Sequence, residues 1–85
     1  MNPRKLLRRL ASGALSNVAF DDMIRLAEGF GFRVARISGS HHILRHPSVP
    51  EMVNLQEVKG QAKPYQMRQF LKLVERHRLV LEDEK

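Results

Sequence analysis

Apolar positions recur at two different periods along this chain, and the changes of period divide it into elements. Between Arg4 and Ala14, Leu6, Leu7 and Leu10 share one side while Arg4, Arg8 and Arg9 take the other, and Pro3 suits a first turn. That spacing predicts a short basic helix. Gly13 and Ser16-Asn17 break the pattern, after which Phe20, Met23, Ile24 and Ala27 predict a second amphipathic helix over about residues 19–28. Asn17 is the expected cap, Asp21 and Asp22 lie in the first turn where unpaired N–H groups favour acids, and Gly29 and Gly31 end the helix. The period then falls to two. Phe32, Val34 and Arg36 alternate with Arg33, Ala35 and Ile37, so a strand is predicted, with Ser38-Gly39 as its turn. A second strand runs from Ser40 to His46, placing His41, Ile43 and Arg45 on one face and His42, Leu44 and His46 on the other, until Pro47 removes a ladder donor. Pro47 and Pro50 frame a loop before a short third strand over residues 51–55. Residues 56–63 show no period, and Gly60 suggests a turn. Pro64 then opens a last helix whose apolar stripe is Met67, Phe70, Leu71 and Val74, with Arg68, Lys72 and Arg76 recurring every fourth residue on the other side.

The order helix, helix, three strands, helix implies an α+β domain: a three-stranded antiparallel sheet, helices packed on one face, and the opposite face open to a partner. All of residues 1–85 fit one domain, made of a basic helical extension over 1–16, a core over 17–78 and a charged, frayed tail over 79–85. Tyr65 reads as a helix–sheet packing residue, and His77 as a surface residue at a helix C-terminus.

Charge sharpens that picture. Fifteen Lys and Arg against nine acids give +6, which suits a polyanionic partner. There is no cysteine, so disulfides and thiolate metal sites are excluded. The apolar runs are far too short for a spanning helix, and the basic start lacks the apolar stretch of a secretory signal, so a soluble, cytoplasmic protein with no membrane role is expected.

The unusual stretch is "ISGSHHILRHP", residues 37–47, which places three histidines and an arginine on one strand-like segment. Histidine can take and return a proton near neutrality, as phosphodiester cleavage requires when a ribose 2′-hydroxyl attacks the adjacent phosphorus. Arg36, Arg45 or Lys63 are candidates to neutralise the phosphate as charge builds. Three other readings stand beside this one. An exposed histidine on a hairpin is commonly just a surface residue. A metal is poorly served, since His41 and His42 project to opposite faces and no cysteine or well-placed acid completes a set with His46. The Arg68, Lys72, Arg76 stripe is a phosphate-binding surface or an ordinary solvated helix face.

At "GFGFRVARISGSHHILRHP", followed by "VNLQEVKGQAKPYQMRQFLKLVE" and preceded by "NVAFDDMIRLAEGFGF", the chain resembles the HicA toxins, also called YcfA-like proteins. The likeness covers roughly residues 17–78. It implies a double-stranded-RNA-binding-domain-like fold and an endoribonuclease, an mRNA interferase, working without a metal or other cofactor. By the same likeness the catalytic residue is His41, the histidine directly after Gly-Ser, and Gly39 and Ser40 shape the turn that presents it. The implied partners are single-stranded or weakly structured mRNA and a HicB-like antitoxin that covers the active surface. Shorter members carry a Pro-His pair on the third strand and a Gly-Thr opening to the last helix; this chain has VNLQ and KPYQ there, and Ala19 where relatives often place a capping serine.

The expectation is therefore a toxin-type endoribonuclease with His41 as general acid or base and Arg36, Arg45, Lys63, Arg68, Lys72 and Arg76 as RNA or phosphate contacts. The alternative is a binding module that holds RNA on the same basic face without cutting it. An inactive member working through protein contacts is a third reading.

Overall fold

A computed structural model describes residues 1–82; the last residues of the expected frayed tail, 83–85, lie outside the described ones. The chain forms α1 (Pro3–Ala11), α2 (Phe20–Gly29), β1 (Arg33–Ser38), β2 (His41–His46), β3 (Val49–Val58), β4 (Gln61–Ala62) and α3 (Pro64–Arg76). The four strands make one antiparallel sheet in the order β1-β2-β3-β4. Its apolar face meets the helices in one core that joins Met23, Leu26 and Ala27 of α2 and Met67 and Phe70 of α3 to Leu44, Val53 and Leu55 of the sheet. Phe30 and Phe32 set their rings edge-on or tilted against Phe70, with centroids 5.8 and 5.3 Å away. Fully burying each such ring stabilises the fold by about 1.5–3 kcal/mol. The arrangement is the expected α+β, double-stranded-RNA-binding-domain-like one.

The strand count is corrected from three to four. β4 is only two residues long, too short to show alternation, and it exists because Lys59 (φ 52°) and Gly60 (φ 77°) fold a tight hairpin back onto the end of β3. β4 in turn holds the start of α2: Ala62 N–H donates to Val18 O and Phe20 N–H to Gly60 O, both at 2.9 Å. These bonds explain why α2 does without a side-chain cap. The N-cap is Ala19, and Asn17, the cap expected from sequence, instead sits in the left-handed region at φ 58°.

The N-terminal extension joins the core. Asn2 caps α1 by accepting from Arg4 N–H at 2.8 Å and Lys5 N–H at 3.3 Å, while Leu6 and Leu10 are buried. Leu79–Glu82 are also held: Leu81 is buried, and Glu82 N–H donates to Gly29 O at 2.8 Å. Among the described residues no helix is long and apolar enough to cross a membrane.

Candidate active site

The open face of the sheet is built by register. Side chains directly opposite in an antiparallel pair share a face, so the pairs Ser38 with His41, His41 with Gln56 and Ile43 with Asn54 gather these residues on the side away from the helices. Leu44 with Val53 and His42 with Leu55 fall on the core side. The two faces of β2 are those expected from the alternation.

β1 departs from simple alternation. A bulge lies between Val34 and Arg36, so Val34 stands opposite Leu44 on the core side while Arg36 stands opposite Ile43 on the open side. A bulge inserts one unpaired residue and turns everything after it to the other face. Arg36, grouped with Phe32 and Val34 by alternation, thereby moves onto the face of His41 and Arg45. Ile37 moves the other way, opposite His42.

The turn between β1 and β2 has Gly39 and Ser40 as its two central residues, one position later than the expected Ser38-Gly39 pair, and His41 rather than Ser40 opens β2. Gly39 has φ 59°, as the first central residue of a type II′ turn requires, and a side chain there would be strained even though the space beside it is open. Glycine is needed here for its backbone. Ser40 Oγ accepts from Gln56 Nε2 at 3.3 Å, and Gln56 Oε1 accepts from Lys63 Nζ at 3.3 Å. The backbone N–H of Gln56 donates to Gln66 Oε1 at 2.7 Å. One side chain of β3 thus ties the turn that presents His41 to the start of α3, and brings Lys63 to the same end of the sheet.

His41 itself is half-buried, and its Nδ1 lies 3.2 Å from Asn54 Oδ1. A carbonyl oxygen only accepts, so Nδ1 is the donor in this contact, and Nε2 has no partner among the described residues. The sequence reading missed Asn54, Gln56 and Gln66. The signal was present in "VNLQ", where polar residues alternate with Val53 and Leu55 and so lie on the face opposite the core.

The other histidines are placed differently. His46 donates from Nε2 to Phe30 O at 3.1 Å and accepts from Ser48 N–H on Nδ1 at 3.0 Å, with its ring 5.0 Å from that of Phe32. His42 turns inward against Phe20, at 4.8 Å between centroids, and its Nδ1 is buried with no partner among the described residues. His77 caps the end of α3 and reaches Glu51 Oε1 at 3.1 Å. Among the described residues no three His, Asp or Glu side chains gather closely enough to hold a metal ion.

Of the expected phosphate contacts, Arg36 and Arg45 are exposed on the face of His41, and Lys63 reaches it through Gln56. Arg68, Lys72 and Arg76 belong to α3, which packs on the opposite side of the sheet. Arg76 is moreover paired with Glu51 at 3.0 Å. Tyr65, expected to pack between helix and sheet, is 63% exposed, its hydroxyl accepting from Gln69 Nε2 at 2.9 Å.

Against known proteins, the model of the family described as HicA toxin of bacterial toxin-antitoxin matches residues 20–75, from the start of α2 to the last turn of α3. No curated protein and no solved structure matches the chain.

Proposed function

The chain belongs to the HicA toxin family, and on that premise we propose that it is the ribonuclease toxin of a toxin–antitoxin pair, with His41 as its catalytic base. The observation that carries the reading is the placement of His41: its Nδ1 lies 3.2 Å from Asn54 Oδ1, which leaves Nε2 for a substrate on the open, basic face of the sheet. Nε2 takes the proton of a ribose 2′-hydroxyl as its oxygen attacks the adjacent phosphorus. The bond from phosphorus to the 5′ oxygen breaks, and that oxygen takes a proton from water. The products are a 2′,3′-cyclic phosphate and a free 5′-hydroxyl end. Arg36 and Arg45, brought to the same face, neutralise the phosphate as negative charge builds on it, and Lys63 adds charge at the turn.

Cleavage of this kind needs no second base to proceed, only to proceed fast. A single positioned proton acceptor contributes about 10²–10⁴-fold. Phosphate contacts from an exposed basic face position a strand with little base selectivity, which suits messenger RNA as a class of substrate. A HicB-like antitoxin covering this face would block both the arginines and Nε2.

The test is cleavage of a long unstructured RNA in the presence of EDTA by the wild-type protein beside folded His41→Ala. Cutting by wild type alone, with cyclic-phosphate ends, is the expected result. If both cut equally, His41 is not the base. If neither cuts while both retain RNA, the basic face is that of a non-catalytic binding module.

A further inference from the structure

A second surface of the molecule has its own chemistry, away from the open face. β3 spans ten residues, but β4 pairs only with Glu57 and Val58, so among the described residues no strand runs beside residues 51–55 on that side of the sheet. The direction of the backbone groups follows from the ladder. Glu57 N–H donates toward β2, to Ser40 O at 2.9 Å, so the N–H of Gln56 points the other way, where Gln66 meets it. By the same alternation the N–H and C=O of Asn54 point outward along the edge, up to the irregularity that separates the Val53 and Val49 pairings. Gln66 has taken the place of the next strand for one residue only.

Beyond that residue the edge opens into a cavity of about 360 Å³ between β3 and α3. Met52 is 59% exposed on its strand side, and Tyr65 and Lys72 line the helix side. Arg76 and Glu51 form an ion pair across its end, and the carboxyl of Glu51 is held below its ordinary range by its own backbone N–H and by His77 and Arg76. With Glu51 so paired, Lys72 has no acidic partner among the described residues, and Arg68 lies one turn away on the same helix.

We propose that this groove takes an extended, acidic segment of a partner protein as an added strand, with main-chain bonds to Asn54, acidic side chains toward Lys72 and an apolar one against Met52 and Tyr65. Outward N–H and C=O groups alternate along a strand edge at the repeat of a peptide, and a peptide supplies both donors and acceptors in return. A run of phosphates only accepts, so it leaves the carbonyls of the edge unmet. A second copy of this chain brings the same cations to the same place, and its +6 charge opposes that pairing.

The experiment is an amide-correlation NMR titration of the whole protein with a capped octapeptide of alternating valine and glutamate. The same peptide N-methylated at every second residue is the control. The expected result is movement of the Met52 and Asn54 amides and of the Tyr65 ring, with binding about tenfold or more weaker for the methylated peptide because its ladder donors are gone. Lys72→Glu, a change at an exposed position of α3, should weaken binding of the acidic peptide about two- to fivefold at low salt. The proposal is overturned if those amides do not move up to millimolar peptide, or if the methylated peptide binds equally well. It is also overturned if an oligouridylate moves the Met52 amide and the Tyr65 ring more tightly, or if these move with protein concentration alone; the Asn54 amide is left out of that comparison because its side chain faces His41. None of these readouts depends on RNA cleavage, so the groove and the nuclease stand or fall separately.

Discussion

The two faces of β2 carry histidines that the chain uses in opposite ways. On the core side, His46 has both ring nitrogens occupied by backbone groups, Phe30 O and Ser48 N–H, and its ring lies against Phe32. The two bonds fix the orientation of the ring between β2 and the segment that follows α2. On the open side, His41 has one nitrogen held by a side chain and the other without a partner among the described residues. A histidine with two backbone partners joins elements together; one with a single partner and a free lone pair can do chemistry. Residue type and strand are the same, and the difference lies in what the fold sets beside each ring.

The largest effects should separate these two roles. His41→Ala is expected to lower RNA cleavage about 10²–10⁴-fold. Its effect on stability in urea should stay within about 0.5 kcal/mol, as for other substitutions away from the core. His46→Ala should do the reverse: a loss of about 2–3 kcal/mol in urea denaturation, from stranding Phe30 O and Ser48 N–H, with cleavage per folded molecule retained. A stable His46→Ala protein would mean that the ring is not the link it is taken for.

Gly31→Ala reaches the same ring from outside. Gly31 has φ 100°, and a Cβ there would stand 2.8 Å from His46 Nε2. Left-handed strain and displacement of the imidazole together should cost about 1–3 kcal/mol, measured as a lower urea midpoint. On the other face, Asn54→Leu removes the acceptor beside Nδ1 of His41 and should lower the cleavage rate about tenfold with the fold unchanged. An unchanged rate in Asn54→Leu would rule out a working contact.

The smallest change is expected at His42, whose buried Nδ1 has no partner among the described residues. His42→Leu exchanges an unsatisfied polar atom for an apolar one against Phe20, and should leave stability unchanged or raise it by up to about 1 kcal/mol, with cleavage intact. Thermal unfolding and the RNA assay check both halves. A large loss of cleavage would place His42 in the site and undo the division between the faces.

Much of this division was legible beforehand. Leu44 between His42 and His46 gave β2 an apolar side, and period-two alternation assigned His41, Ile43 and Arg45 to the other, as found. β1 was read less well because alternation assumes an unbroken ladder. The bulge between Val34 and Arg36 comes from pairing with β2, and no local pattern at "RVARIS" marks it. The stripe on α3 was visible as a stripe, but which surface it borders depends on how the helix packs.

Local chemistry determined where helices and strands form: spacing of apolar side chains, Pro3 and Pro64 at helix starts, Gly39 at a turn that needs positive φ. It also singled out the Gly-Ser-His segment. Only the tertiary structure decided that Arg36 shares a face with His41, that Asn54 holds Nδ1 of that ring, that His46 is tied on both sides, and that β3 keeps part of its edge unpaired. The physical reason is that these are meetings between distant segments. They follow from register, bulges and packing, which depend on partners chosen across the fold and not on the residues next along the chain.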